Sequence, residues 1–425
     1  MTNHDNADKL ISFLNSAHSV FHAVDRISRE LDEAGFCALR ESEAFRLEPG
    51  RSYYVKRNNS SLIAFRLPRK RFTSARLISA HTDSPVLKIK PSPIDTSSSA
   101  YSTLNVEVYG GLPLFSWFDR PLSIAGRVFT EDPDGLQEHL VDIDRDLVVI
   151  PSLAIHQNRQ VNDGWKISVQ KEMKPVLSAQ VLSTDFPSLL SRQLKLAENV
   201  RLLDYDLYLY SRTPASVWGL DGEFISAGRL DDLMCLWAAF EAFKASGPSS
   251  YLQLAAFFDN EEVGSGSRQG ALSDFLVTTY RRILSALGFS YDESCAAAAS
   301  SMMLSADNGH ALHPNYTEKC DPTNRPVING GVLIKYAANQ KYATDGCTAS
   351  WLKSLMNRKG IKYQSFANNS DVTGGSTLGN LSAQRLSIPC VDIGLAQLAM
   401  HSAWESAGVS DLDSLLSLFS AFLED

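Results

Sequence analysis

Three short apolar runs in this sequence end directly in acidic or histidine residues. Residues 75–80 lead into His81, residues 252–258 lead into Asp259, and a third run leads into Asp307. Apolar runs of this length are typical of buried strands, and the carboxyl ends of parallel strands meet at one edge of a sheet, where α/β proteins bind ligands. The pattern therefore predicts that charged side chains lie together at one edge of a sheet.

The C-terminal half alternates between helical and strand-like patterns. Residues 233–245 and 273–287 have helical periodicity, and the small-residue run 297–306 fits either a strand or a buried helix. An amphipathic helix is predicted from Ser410, with Ser410 and Asp413 forming a capping box. This order of elements is typical of a sheet covered by helices.

The N-terminal segment fits the same class of fold. Apolar residues recur at three- and four-residue spacing from Leu10 to Val24, and a second short helix is expected to end near Gly35. Strand-like runs follow at 52–56 and 61–66. Together with the C-terminal alternation, they predict an α/β protein with a mainly parallel mixed sheet and helices on both faces.

The middle of the chain has a different character. Residues 92–225 contain many short β-rich runs, such as 104–109 and 202–209, separated by Gly, Pro and Asp turns. We therefore expect a β-rich domain at 92–225 that is inserted into a discontinuous α/β domain made of 1–91 and 226–425.

Composition excludes several classes of partner. The net charge of -8 argues against broad binding to nucleic acid, and the longest apolar runs are far too short to cross a bilayer. The N-terminus has no basic start followed by an apolar stretch, and the six cysteines are scattered without a C-x-x-C pair. We expect a cytoplasmic enzyme with reduced thiols and with no nucleic-acid or membrane partner.

Two of the candidate motifs are ambiguous when each is taken alone. His81 and Asp83 have the spacing of a metal-binding imidazole and the carboxylate that orients it, but a single H-x-D pair is weak support. Asp231 and Asp232 precede an apolar helix, where adjacent acids are usually caps stabilised by the helix dipole. We interpret Asp232 as such a cap and Asp231 as a candidate bridge between two metal ions.

The remaining motifs strengthen the metal hypothesis. Glu261 and Glu262 offer one metal ligand and one proton carrier, which hydrolysis requires, although a solvated acidic turn is the alternative. Asp307 begins a cluster that also contains His310 and His313. A lone histidine, His401, lies in an apolar context and by itself would be interpreted as a core residue. Nitrogen and oxygen donors without thiolate favour a catalytic pair of zinc ions, with cobalt or manganese as alternatives.

Seven strings at these positions resemble one family, the aspartyl aminopeptidases and vacuolar aminopeptidase I, which are dinuclear zinc metallopeptidases. The strings are SAHTDSP, GRLDD, FDNEEVGS, SADNGHALHPNY, NQKYATDG, GGSTLG and QLAMHS, and they extend over nearly the whole chain. The resemblance implies a zinc-peptidase-like fold in which the inserted domain mediates dimerisation or oligomerisation. It also implies peptide substrates and a homo-oligomer, a dodecamer built from dimers.

The resemblance further assigns roles to individual residues. It implies that His81 and Asp307 hold one metal, that Glu262 and His401 hold the other, and that Asp231 bridges them. Glu261 would be the general base and Asp83 would orient His81. His156 would reach the active site of a neighbouring subunit, where it would stabilise the oxyanion. The implied pocket-lining residues are His310, His313, Lys335 and Tyr342.

Several alternatives remain open at the level of the sequence. A related two-metal carboxypeptidase or N-acyl amino acid deacylase would share the H-x-D and Glu-Glu pattern, and a noncatalytic assembly or holdase protein could retain the fold. Many of the resembling enzymes prefer N-terminal Asp or Glu, and Lys335 would suit such a side chain. A lysine on a strand is ordinarily a solvated edge residue, which is the competing interpretation of Lys335.

Overall fold

A computed structural model describes residues 4–133, 135–197, 199–372 and 374–425. The α-helices are α1 (Asp5–Leu14), α2 (Val20–Glu33), α3 (Val169–Glu172), α4 (Phe186–Leu194), α5 (Leu230–Ala245), α6 (Phe275–Ala286), α7 (Tyr291–Ala299), α8 (Gly346–Lys359), α9 (Leu378–Leu386) and α10 (Val409–Glu424). Within these ranges, none of the helices combines the length and the apolar character needed to span a membrane.

The strands fall into three sheets. They are β1 (Cys37–Leu39), β2 (Ser52–Arg57), β3 (Ser61–Arg66), β4 (Ala75–His81), β5 (Val86–Asp95), β6 (Ser102–Tyr109), β7 (Leu122–Asp132), β8 (Gly135–Asp142), β9 (Val176–Ser178), β10 (Arg201–Ser211), β11 (Ser216–Trp218), β12 (Phe224–Ala227), β13 (Leu252–Phe258), β14 (Met302–Ala306), β15 (Gly309–His310), β16 (Val332–Tyr336), β17 (Tyr363–Ala367), β18 (Cys390–Gly394), β19 (Ala396–Leu398) and β20 (Glu405–Gly408).

The largest sheet is mixed and has a parallel centre. Its nine strands lie in the order β1-β2-β3-β13-β4-β14-β18-β16-β17. The four central strands β13, β4, β14 and β18 run parallel, while β3 and β16 join this centre through antiparallel pairings. The predicted α/β class with a mainly parallel mixed sheet is confirmed.

Helices cover both faces of this sheet, which explains why its strands are continuous apolar runs. On one face α1, α2, α5, α8 and α10 pack against alternate strand residues such as Ala255 and Phe257. On the other face α6, α7 and α9 pack against the intervening residues, including Leu254 and Phe258. A strand buried on both sides has no polar face, so its sequence lacks alternation.

The middle of the chain forms a six-stranded antiparallel sheet. Its strand order is β8-β7-β10-β5-β6-β9, and α4 packs on its core. The sheet begins at Val86 and its last strand ends at Ser211. The division into 1–91 with 226–425 and an inserted domain at 92–225 remains a prediction.

A third sheet has five short strands and collects distant parts of the chain. Its order is β11-β12-β20-β19-β15. Strand β12 leads into the start of α5, and a turn at residues 399–404 joins β19 to β20. This small sheet therefore brings the N-terminal end of α5 next to the turn between β19 and β20.

Three local predictions were wrong in detail. The apolar periodicity from Leu10 to Val24 is interrupted, because α1 ends at Leu14 and Ser19 caps a new helix, α2. The run 297–306 is divided between the end of α7 and β14. The capping box at Ser410 is absent from α10, where the Ser410 hydroxyl bonds Asn329 instead. Periodicity reports which side chains are buried, and it does not show where the backbone turns.

Candidate metal centre

Five side chains from five separate segments meet where the large sheet and the five-stranded sheet adjoin. His81 is the last residue of β4, Glu262 lies in a short 3-10 turn after β13, and Asp307 directly follows β14. Asp231 lies at the start of α5, and His401 lies in the turn between β19 and β20. The carboxyl edge of the large sheet thus supplies three of the side chains, and segments connected to strands of the small sheet supply the other two.

The Asp231 carboxylate lies between the two histidines. His81 Nε2 is 3.6 Å from Asp231 Oδ1 and 3.9 Å from Asp307 Oδ1. His401 Nε2 is 3.4 Å from Asp231 Oδ2 and also 3.4 Å from Glu262 Oε2. Each oxygen of Asp231 therefore faces a different histidine, which is the arrangement expected of a carboxylate shared by two cations.

Backbone carbonyls fix the orientation of both imidazoles. His81 Nδ1 lies 3.0 Å from the Asp83 carbonyl oxygen, and His401 Nδ1 lies 2.8 Å from the Gly111 carbonyl oxygen. A carbonyl only accepts hydrogen bonds, so each Nδ1 carries the proton. The Nε2 lone pair of each ring consequently points into the cluster, as a metal ligand requires.

Asp83 organises the loop that carries the two glutamates. Its carboxylate accepts hydrogen bonds from the backbone N–H of Glu261 (3.1 Å) and Glu262 (3.2 Å) and from the Tyr109 hydroxyl (2.7 Å). Its Oδ1 also lies 3.4 Å from His81 Nδ1. Asp83 thus links the histidine of β4 to the glutamate loop after β13.

The cluster contains buried oxygens that no protein donor satisfies. Among the described residues, Asp231 Oδ1, Asp232 Oδ1 and Glu262 Oε1 are buried without a hydrogen-bond partner. The groups whose ligand atoms lie within 4.8 Å of one another are His81 with Asp231, Asp232 and Asp307, His81 with Glu261 and Glu262, and Asp231 with Glu262 and His401. Buried carboxylate oxygens without donors are costly, and divalent cations satisfy them. The donor set fits zinc.

The same crowding shifts the pKa values of the carboxyl groups. Burial, reinforced by the charges of Asp307 and Asp83, raises the pKa of Glu261 to about 8. Burial and the charge of Asp231 raise the pKa of Glu262 well above its usual value. For Asp231, burial is outweighed by the two neighbouring imidazoles of His401 and His81, so its pKa is lowered. Protons and divalent cations therefore compete for this cluster.

A cleft of about 410 Å³ opens over the cluster. Its walls include three of the four predicted pocket residues, His310, Lys335 and Tyr342. The fourth, His313, lines a neighbouring cleft of about 490 Å³, which His310 also borders. His156 is exposed and lies outside both sets of lining residues. The roles of these residues remain predictions.

Lys335 is buried beneath the cleft. It lies on β16, between β17 and β18 in the large sheet, and it is only 2% exposed. Its Nζ donates a hydrogen bond to the Asn308 carbonyl (2.7 Å) and lies 3.5 Å from Asp307 Oδ2. The alternative of a solvated edge lysine is therefore wrong.

Sequence reasoning missed two acids beside the cluster. Asp232 does not cap α5, as the sequence suggested, because Arg229 occupies the N-cap position and Asp232 Oδ2 accepts the His81 backbone N–H. Glu405 is buried on β20 and accepts two backbone hydrogen bonds from this region. The only sequence signal for Glu405 is its position four residues after His401.

Comparisons with known proteins agree with this geometry. The family described as aminopeptidase I zinc metalloprotease (M18) matches residues 13–423. A probable M18 family aminopeptidase 2 from Clostridium novyi is 39% identical over 426 residues, which is 98% of each chain. A corresponding protein from Pseudomonas aeruginosa is 42% identical over 421 residues, covering 97% of this chain and 96% of that one.

Solved structures give the same result. A chain in the cryo-EM structure of the Ape4 and Nbr1 complex is 34% identical with a TM-score of 0.94, covering 98% of this chain and 85% of that one. The S. cerevisiae mApe1 dodecamer is 27% identical with a TM-score of 0.86, covering 99% and 96%. The fold, the gathered His, Asp and Glu side chains and these relatives agree, and the chain therefore belongs to the M18 family of zinc metalloproteases and is an aminopeptidase.

Proposed function

We propose that this aminopeptidase uses two divalent metal ions, most readily zinc, to hydrolyse the first peptide bond of its substrates. His81 and Asp307 hold one ion, Glu262 and His401 hold the other, and Asp231 bridges the two. The observation that carries this proposal is the position of Asp231, whose two oxygens each face a different histidine at 3.6 and 3.4 Å.

Glu261 is the general base in this scheme. When bound, the zinc ions lower the pKa of a water molecule to about 7 and polarise the scissile carbonyl. Glu261 lines the cleft next to the proposed ligands, takes the proton of the attacking water and returns it to the leaving amine. Asp83 accepts a hydrogen bond from the Glu261 backbone N–H and so helps to hold the loop that carries this carboxylate at the cleft.

The cleft wall supports a preference for N-terminal Asp or Glu. A buried carboxylate needs a cation or several donors, and Lys335 is a buried cation that borders the same cleft as His310 and Tyr342. Burial lowers the pKa of Lys335, but the charge of Asp307 more than compensates, so its pKa is raised and the ammonium keeps its charge. Lys335 and His310 line the side-chain pocket, with His313 next to them.

A second subunit completes the site in this proposal. His156 is exposed, and its neighbours Leu153 and Ile155 are large apolar side chains that are 54% and 48% exposed. Contiguous exposed apolar side chains rimmed by polar residues mark protein–protein interaction sites, and this segment is a candidate for one. We extend to this chain the dodecameric assembly of its S. cerevisiae relative, with His156 stabilising the oxyanion in a neighbouring subunit's site.

Elemental analysis of the purified protein tests the metal assignment. We expect about two zinc ions per chain, and we expect activity to be lost with a strong chelator and restored by zinc. Cobalt and manganese should be compared with zinc in the same reconstitution. A fully active protein without divalent metal would overturn the mechanism.

A substrate panel tests the reaction and the side-chain preference separately. Aminoacyl p-nitroanilides of Asp, Glu, Leu and Ala should be cleaved, with Asp and Glu fastest, while their N-acetylated forms should be resistant. Cleavage of the acetylated forms would contradict the requirement for a free amino terminus. Faster cleavage of Leu than of Asp would remove the acidic preference and leave the aminopeptidase mechanism intact.

A further inference from the structure

Glu405 lies directly behind the proposed metal centre. It is the first residue of β20, it is 1% exposed, and each of its oxygens accepts one backbone N–H. Glu405 Oε1 accepts from His401 at 2.6 Å, and Glu405 Oε2 accepts from Asp231 at 3.1 Å. Both donors belong to residues that the proposed function treats as metal ligands.

These two ligand residues are distant in sequence. Asp231 arrives from β12 at the start of α5, and His401 arrives in the turn between β19 and β20. Their side chains approach to 3.4 Å, between Asp231 Oδ2 and His401 Nε2. The Glu405 carboxylate therefore holds the backbones of Asp231 and His401 together. The side chains of the same two residues face each other within the cluster.

The backbone of His401 needs this support. Its φ of +67° lies in the left-handed region, which is unfavourable for a residue with a Cβ atom, and Ala399 in the same turn has a φ of +53°. Such a conformation persists only where surrounding contacts determine it. The Glu405 bond to the His401 backbone and the Gly111 bond to its ring are such contacts.

We propose that Glu405 is a positioning residue that fixes Asp231 and His401 relative to each other and thereby sets the affinity of the metal site shared by Asp231, Glu262 and His401. The inference rests on the proposed two-metal function. Loss of either acceptor oxygen frees the backbone of one proposed ligand, and partners behind metal ligands typically change metal affinity by about 10- to 100-fold.

The chain offers a matched control for this contact. Asp411, in the first turn of α10, is also fully buried and also accepts one backbone N–H on each oxygen. The donors are Gly331 and Asn329, both at 2.7 Å, and neither is a proposed metal ligand. Asp411→Asn therefore makes the same acid-to-amide change in the same kind of contact, at donors that are not proposed metal ligands.

The experiment compares Glu405→Gln, Asp411→Asn and the unmodified chain in zinc competition with a chromophoric chelator. We expect Glu405→Gln to bind its weaker zinc ion about 10- to 100-fold less tightly and to retain about one zinc per chain where the unmodified protein retains about two. Excess zinc should restore most of its kcat. Asp411→Asn should lower the melting temperature yet keep both zinc ions.

Two outcomes would overturn the inference. One is unchanged zinc affinity in Glu405→Gln, and the other is an equal loss of affinity in Asp411→Asn, which would make the effect one of general stability. If Glu405→Gln does not fold, Glu405→Asp keeps the charge but is too short to hold both N–H groups, and it should show the same selective loss of one zinc. An unmodified chain without zinc would instead contradict the proposed function itself.

Discussion

The proposed metal cluster and the 151–157 segment of the middle region differ in burial and in the number of contacts that fix them. Asp231 and His81 are each at most 2% exposed and are fixed by several partners, whereas residues 151–157 are all exposed. Within the described residues, His156 makes no hydrogen bond or ion pair. The difference indicates that one chain positions the proposed metal ligands by itself, while the proposed role of His156 would depend on a surface that a second chain supplies.

The largest loss of activity is predicted for Glu261→Gln. The substitution keeps the shape of the side chain and removes the base, so kcat should fall by about 10²–10⁴-fold. Zinc content should remain at the level of the unmodified protein, because Glu261 is not a proposed ligand. Stopped assays with a chromogenic substrate and elemental analysis check both parts. Near-normal kcat with full zinc would exclude Glu261 as the base.

His156→Ala is predicted to have the next largest effect. Loss of one oxyanion donor typically costs about 10²–10³-fold in kcat, and zinc content should be unchanged because the cluster does not touch residue 156.

A mixing experiment decides whether His156 acts on its own subunit or on a neighbour. Subunits carrying His156→Ala still have Glu261, and subunits carrying Glu261→Gln still have His156. If the site is shared between chains, random co-assembly of the two in equal amounts should restore about a quarter of the sites. If each chain uses its own His156, mixing restores nothing.

Lys335→Met tests whether the cleft recognises an acidic substrate side chain. Loss of a charged hydrogen bond should lower kcat/KM for Asp and Glu substrates by roughly ten- to a hundredfold. Because Lys335 also pairs with Asp307 at 3.5 Å, some loss is expected for every substrate, and the informative quantity is the Asp-to-Leu ratio. An unchanged ratio would assign Lys335 to charge balance of the metal site alone.

The smallest predicted effect is on thermal stability without metal. Burial raises the folded-state pKa of Glu261 and of Glu405 to about 8, from ordinary values of 4.5. For an acid whose folded pKa is raised, the folded state binds more protons, so stability falls as pH rises from about 4.5 to 8. Chelated protein should therefore lose a few degrees of melting temperature between pH 6 and pH 8.

Zinc-loaded protein provides the reference for this measurement. Bound cations keep the carboxylates ionised, so its melting temperature should change much less over the same pH range. Calorimetry at several pH values with and without chelator measures the difference. Parallel curves for the two forms would mean that the cluster contributes no pH dependence to folding.

The sequence determined the class of fold and the main site segments. Runs such as 252–258 are apolar throughout because a strand covered by helices on both faces has no polar side, and such a strand can be recognised from sequence. His81, Glu262 and Asp307 follow these runs directly, and the structure brings them together at the sheet edge. Their roles as ligands remain predictions that the metal analysis tests.

The residues that surround those segments could be identified only in the tertiary structure. By residue pattern alone His401 is a lone histidine in an apolar context, and only the family resemblance marks it as a ligand; the five-stranded sheet brings it next to Asp231. The sequence favours a cap at Asp232, but its carboxylate lies beside His81. Glu405 had no recognisable motif, because its function lies in two backbone N–H groups 174 and 4 residues away. Local patterns encode burial and helix or strand character, whereas contacts between segments far apart in sequence exist only once the sheets have assembled.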